Sequence, residues 1–307
     1  MESHFLQSSS WEKFLQSEGK TTFRLTGTHF SALCSLEHTP FGNYLYCPYG
    51  PALENKSALK PALKALRSLA KDVSATFIRI EPTLAFSAKE MAKYGLKKSH
   101  DQNPAHTWIV DLRGEPSDIL KKLPKRTRGY YNTYEKKGIS ISVSHDPADI
   151  KKLIRLQQPL AQRKHISTFS DDYLRAELSQ PFASLYTAEL DHKCIAAILT
   201  FENATTGFYM QAASDPAYKK FAANSILATQ ILLDMQQSGK TTFDFWGIAP
   251  DNAKPSHPWY GFTAFKKSFE GTPVSYSGTW DLPLNRPKYA LYGIFRRMNL
   301  ILRKLRA

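Results

Sequence analysis

Hydrophobic residues along this chain recur with two periods, and the period changes from segment to segment. In KSALKPALKALRSLAKD, Leu59, Leu63, Leu66 and Leu69 fall at helical spacing, and Ser57 is placed to cap the helix. Residues 1–20 form a second amphipathic pattern that turns Trp11, Phe14 and Leu15 inward. YLYCPYGPAL predicts a short strand and then a loop punctuated by Pro-Gly-Pro. ATFIRIEP predicts a buried strand, SAKEMAKYG a helix ending at Gly95, and HTWIVDL a further strand.

From about residue 116 the chain becomes basic and then resumes the alternation. ISISVS predicts a strand, and DPADIKKLIRLQQPLAQRK a helix. FASLYTAEL, KCIAAILTFE and GFYMQAASD predict three strands joined as a meander through DH and NATT. A helix over ANSILATQILLDMQQSGK follows, capped by Asn224 or Ser225 and ended by Gly239. The strand-like FDFWGIAP, a short aromatic helix and the strand PVSYSGTWDL complete the series. Strand, helix, helix, three antiparallel strands, helix, strand, helix, strand is compatible with an N-acetyltransferase-like (GNAT) fold. The first half is a looser version of the same order. The fold class expected is α/β (α+β), with two such domains in tandem.

Composition sharpens this picture through charge. A formal net charge of +14 over 307 residues points to a polyanionic partner such as nucleic acid, an anionic membrane or an anionic substrate. Cys34, Cys47 and Cys194 are isolated thiols, which suits a reducing compartment and no disulfide framework. No signal peptide and no run long enough to span a bilayer are visible, so a cytoplasmic protein is expected.

No GxSxG elbow, P-loop or HExxH motif occurs. His100 and His106 flank Asp101 and Asn103 with a spacing that fits no zinc template, so neither metal nor cofactor is expected. A coenzyme A grip would need a glycine-rich turn before the helix near 222, where Ala222 and Ala223 stand instead. Lys219 and Lys220 beside them are candidate phosphate contacts. The segment 121–137 holds seven basic residues and one acid, Glu135. Lys125, Arg126 and Arg128 are its candidate tRNA contacts, with Tyr130, Tyr131 and Tyr134 either stacking on exposed bases or, on a solvated helix, packed on the seam between the two domains. A polyanionic acyl donor such as an aminoacyl-tRNA carries an activated ester, so transfer needs positioning and a stabilised oxyanion. A lysine of AFKKSF in a partly dry aromatic pocket suits that role, although the spacing by itself favours an amphipathic helix with two solvated lysines.

FLQSSSWEKF, YCPYGP, RIEP, LPKRTRGYYNTYEKKGISI and above all FDFWGIAP…GFTAFKKSFEGTPVSYSGTWDLPLN carry a resemblance over nearly the whole chain. The chain resembles the Fem (FemABX) family of aminoacyltransferases, which build peptidoglycan side branches from aminoacyl-tRNA. The resemblance implies a C-terminal segment returning to the first domain, hence domains at 1–144 with 281–307 (acceptor side) and 145–280 (transfer side). It puts the lysine that stabilises the tetrahedral intermediate at Lys266, behind Phe265, with Trp246 and Tyr260 shaping the pocket. It implies a muramyl pentapeptide acceptor, as lipid II or UDP-MurNAc-pentapeptide. The acceptor grip maps onto Tyr173, with Phe169 where an arginine is expected, Arg163 and Lys164 upstream, and Lys13 near the first-helix position. Glu81 and Asp244 are candidate bases, each with a structural alternative. The basic, apolar tail 289–307 is expected to pack its apolar stripe on the first domain, leaving its arginines in water; peripheral contact with an anionic membrane is the other arrangement. A monomer is expected. The rival readings are an N-acyltransferase of the same fold using coenzyme A or an acyl carrier, and a non-catalytic tRNA- or membrane-binding relative.

Overall fold

The computed structural model describes residues 4–164, 169–255, 257 and 259–305, of which 160–164, 300–301 and 303–305 are described by backbone alone. After a 3-10 turn, Phe5–Gln7, comes α1 (Ser9–Ser17), capped by Ser8, whose Oγ accepts from Trp11 N at 3.1 Å. Trp11 and Phe14 are buried as their spacing predicts. Then follow β1 (Thr22–Gly27), β2 (Phe30–Thr39), β3 (Gly42–Cys47), β4 (Ala52–Leu53), α2 (Leu59–Asp72), β5 (Ala75–Ile80), α3 (Ala88–Ala92) and β6 (Lys97–Lys98). In α2, Leu59, Leu63 and Leu66 enter the core. The entry to this helix is capped by Asn55 and not by Ser57: the Asn55 side chain accepts from Ala58 N at 3.3 Å.

The next stretch builds a second sheet: β7 (His106–Asp111), α4 (Pro116–Lys122), α5 (Lys125–Tyr131), β8 (Ile139–Ser144), α6 (Ile150–Lys164), α7 (Asp171–Leu178), β9 (Ala183–Leu190), β10 (Lys193–Glu202), β11 (Thr206–Ser214), α8 (Ala223–Gln237), β12 (Thr242–Gly247), α9 (Tyr260–Lys267) and β13 (Thr272–Ser275). The turn between β9 and β10 is Asp191-His192, both at positive φ, as a tight two-residue hairpin demands. Finally the chain returns to the first sheet as β14 (Trp280–Pro283) and covers it with α10 (Arg286–Leu305). Among the described residues the sheets run β1-β2-β3-β5-β14-β6, with β4 on β2, and β13-β7-β12-β11-β10-β9-β8.

Two compact units result, 1–105 with 275–307, and 106–274. The boundary therefore lies 39 residues before the expected 144/145. The cause is a pairing that local pattern does not reveal. Strand β7 hydrogen-bonds antiparallel to β12, with Phe243 opposite Val110, so it closes the second sheet. Ile119 of α4 and Leu123, which ends that helix, join the second core, and Tyr130 and Tyr131 of α5 pack against it. The capping expected from Asn224 or Ser225 is also not found. Both lie inside α8, which Ala222 precedes in the left-handed conformation at φ 53° without a side-chain cap.

The tail reverses its expected orientation. Leu291, Ile294, Met298 and Leu302 are 49, 55, 55 and 47% exposed, so the apolar stripe of α10 faces solvent. The opposite face is held by buried polar groups beneath it. Arg79, wholly buried, makes a two-pronged ion pair with Asp281 at 2.7 and 2.8 Å. Tyr289 donates its hydroxyl to Asp281 at 2.9 Å, and Arg79 donates to the Tyr292 hydroxyl at 3.4 Å. A buried ion pair must have its remaining hydrogen-bonding capacity met, and these two tyrosines, three residues apart, fix which side of the helix looks inward. Arg303, Lys304 and Arg306 of the tail fall outside the described side chains.

Candidate active site

Within the second unit, β11 and β12 run parallel and pair only from Thr206↔Thr242 to Phe208↔Asp244, after which the sheet parts. At the same point β12 bulges on its other edge: Asp244 lies opposite Ile109 but Gly247 opposite Thr107, so β12 carries one residue more. Trp246 sits in this bulge at φ 60°. A tryptophan in the left-handed region costs on the order of 1–2 kcal/mol and needs a local clamp. Asp244 supplies it. The carboxylate accepts from Trp246 N at 2.7 Å and, through the same oxygen, from the Thr107 hydroxyl. Burial pushes the Asp244 carboxyl up to about 6, against the pull of those two bonds and of the Lys266 charge.

Facing the bulge is α9. Phe265 and Phe269 are one turn apart on one side of it and pack against Phe245, with ring centroids 6.4 and 4.8 Å away. Trp108 donates its indole N–H to the Phe269 carbonyl at 2.8 Å and pins the helix end. Gly271 then lets the chain pass against the backbone of Ile109, where a Cβ would collide. This packing carries Lys266 inward: it is 8% exposed, and its Nζ donates to the Gly247 carbonyl at 2.6 Å. The Tyr209 ring lies 5.8 Å from the same nitrogen. Burial pulls the ammonium down to about 8, with the Asp244 charge opposing the fall. Lys267 has the other fate open to this pair, exposed and bonded to Asp251 at 2.8 Å. The solvated alternative thus applies to one lysine and not to the other.

The remaining residues singled out by sequence fall in several places. Trp246 and Phe265 adjoin the bulge and α9, while Tyr260 is at the exposed start of α9. Tyr173, on α7, stacks on Phe169 at 5.0 Å, so the position where an arginine was expected holds an aromatic pair. Arg163 and Lys164 lie outside the described side chains. Lys125 and Arg126 are exposed on α5, and Arg126 donates to the Tyr130 hydroxyl at 2.9 Å. Arg128 donates to the Lys121 carbonyl at 3.2 Å. Tyr130, Tyr131 and Tyr134 are partly buried against the core of the second unit itself, and the Tyr131 hydroxyl donates to Gln230 at 2.6 Å. Lys219 and Lys220 are exposed ahead of α8.

In the first unit Lys13 is exposed on α1. Glu81 is buried there and accepts from the Tyr46 and Thr279 hydroxyls, from both nitrogens of Asn103 and from Tyr49 N. With its lone pairs so engaged it is a framework group, and the role of base proposed for it does not fit this geometry. Thr107 and Tyr209, which complete the surroundings of Asp244 and Lys266, carry no local motif and were not singled out.

The FemAB family model matches residues 1–112 and 177–297. A lipid II:glycine glycyltransferase of Staphylococcus epidermidis is 27% identical over 193 residues, which cover 62% of this chain but 42% of that protein. The chain therefore spans under half the length of that relative. Among solved structures, FemX superposes with a TM-score of 0.80 at 19% identity, over 94% of each chain. A tandem GNAT protein from the clavulanic acid biosynthesis pathway reaches 0.52 at 13% identity, over 86% of this chain and 83% of that one. These likenesses give the fold, two GNAT-like units in one chain. Since the family model covers most of its length in two blocks, the chain belongs to the FemAB family.

Proposed function

We propose that the chain is an aminoacyltransferase that moves an amino acid from aminoacyl-tRNA to the stem-peptide amine of a peptidoglycan precursor, lipid II or UDP-MurNAc-pentapeptide. The observation that carries this reading is the buried Lys266 ammonium at the parting of β11 and β12, with one N–H engaged by the Gly247 carbonyl. An ammonium held in a low-dielectric, aromatic setting stabilises a developing oxyanion far better than a solvated one. The acceptor amine attacks the ester carbonyl, and the oxyanion forms against the Lys266 N–H groups. The C–N bond is kept, the C–O bond to the tRNA ribose breaks, and the amine proton passes to the departing ribose oxygen. The S. epidermidis relative, named for glycyl transfer to lipid II, supports the substrate class. The alanines at the head of α8, with Ala223 buried in the core, count against a coenzyme A donor.

The deciding experiment is a transfer assay with a panel of charged tRNAs and both acceptor forms. Transfer from no charged tRNA, with turnover of an acyl-coenzyme A, would overturn the proposal. In that assay the rate, corrected for spontaneous ester hydrolysis and for the fraction of the acceptor present as free amine, is expected to fall as pH rises through about 8, because the ammonium loses its charge there. A rate that climbs without interruption past that point would exclude Lys266 as the cationic donor.

We propose Lys125, Arg126 and Arg128 as the tRNA contacts, of which the first two are exposed, with Lys219 and Lys220 as further phosphate contacts. Lys125→Glu with Arg126→Glu is expected to weaken tRNA binding about tenfold or more at low salt and to flatten its salt dependence. Unchanged binding in filter retention at constant ionic strength would remove the idea.

A further inference from the structure

We infer that α10, together with a basic hollow beside its first turn, is a docking face for the surface of an anionic lipid bilayer. The stripe Leu291, Ile294, Met298 and Leu302 recurs every three or four residues along one side of α10, each side chain about half exposed. Phe295 joins it at 38% exposed and meets Phe41 of the β2–β3 turn edge-on at 5.4 Å, which widens the apolar patch beyond the helix. Isolated exposed apolar residues are ordinary, but a continuous stripe on a helix over a folded unit calls for a partner. The stripe is not a packing face left over by chance, since Tyr289 and Tyr292 turn the opposite side of the helix to the Arg79–Asp281 pair.

The charges around the stripe identify the partner. Residues 286–305 contain Arg286, Lys288, Arg296, Arg297, Arg303 and Lys304 and no acid. One turn before Leu291, Lys288 lines a hollow of about 830 Å³ together with Lys64, Arg67 and Lys71 of α2, and with Ser68 and Thr76. Four cations and three hydroxyls, the third from Ser74, with no carboxylate lining the hollow among the described residues, suit a phosphate-bearing headgroup. An apolar stripe flanked by arginine and lysine is the surface chemistry of a helix that lies in the interface plane of a membrane. No helix among the described residues is long and apolar enough to cross one, so the contact is peripheral. Nothing in this face draws on the chemistry of Lys266, and it holds or fails separately from the transfer reaction.

The test is cosedimentation of the full chain with phosphatidylcholine vesicles, with and without phosphatidylglycerol. The wild-type chain is expected to partition onto the phosphatidylglycerol vesicles and to leave them at high salt. Ile294→Asp with Met298→Asp is expected to lower the partition coefficient at least about tenfold, given the depth to which such apolar faces are buried. Lys64→Glu with Lys71→Glu, on the exposed side of α2, should remove the preference for phosphatidylglycerol. All four side chains lie outside the cores, so both variants should melt as the wild type does. The inference is overturned if the wild type fails to sediment, if it binds both vesicle types alike, or if the Ile294/Met298 variant binds as the wild type does. It is equally overturned if the wild type is a dimer in solution that this variant dissolves without any vesicle binding, which would give the face to a second copy.

Discussion

Lys266→Met is expected to lower the transfer rate constant by about 10²–10³-fold, the range found when one oxyanion donor is removed from a preorganised site. The loss should appear in single-turnover rates at saturating acceptor, with little change in the acceptor concentration needed for half-saturation, because the interaction matters only once charge develops. The fold should survive. Burial already disfavours the ammonium, so its removal relieves that cost while leaving the Gly247 carbonyl without its donor. Lys267→Met is the control. Its ammonium is exposed and paired with Asp251, and near-normal transfer is expected. A Lys266→Met enzyme with near-normal single-turnover rates would take the role away from that residue.

Asp281→Ala is expected to reduce the unfolding free energy by about 3–5 kcal/mol, because it strands a buried guanidinium. Among the described residues Arg79 would keep its bonds to Ser99 and Tyr292, at 3.2 and 3.4 Å, and the Tyr289 hydroxyl would lose its acceptor. Replacing both members, as Arg79→Met with Asp281→Leu, should recover much of the loss, since a buried pair is rarely more stabilising than well-packed apolar groups. Urea denaturation followed by circular dichroism measures both. A single-variant loss below about 1 kcal/mol, the value of an exposed pair, would mean that water reaches the pair in solution.

Much of this architecture is legible in the sequence where one segment decides its own structure. The leucines of α2 and the Asp191-His192 hairpin both state their structure locally. The meander β9–β10–β11 does so too, because its strands follow one another directly. Where two distant segments decide together, the pattern is silent. HTWIVDL is plainly a strand, yet nothing in it says that its partner is β12, more than 130 residues on, and the domain boundary was misplaced for that reason. The tail shows the same limit. Its periodicity identifies an apolar stripe, but the direction in which the stripe faces depends on an arginine and an aspartate that the helix itself does not contain. In the candidate site, Lys266 was picked out by chemical need and by family resemblance, and its burial follows from Phe265 and Phe269. Thr107 and Tyr209 have no such signal, being a strand-end threonine and one tyrosine among fifteen.

The insertion of β14 between β5 and β6 bears on how the molecule is made. The first unit is discontinuous, and its sheet lacks an interior strand until residues 280–283 have been synthesised. A ribosome delivers Arg79 some two hundred positions ahead of Asp281, the carboxylate that neutralises it. The second unit is continuous and has its whole sheet available earlier. Although N-terminal regions usually fold first during synthesis, in this chain the downstream unit is complete before the upstream one can close. The N-terminal hundred residues must therefore wait, with a cationic gap in their sheet, for the last strand to arrive.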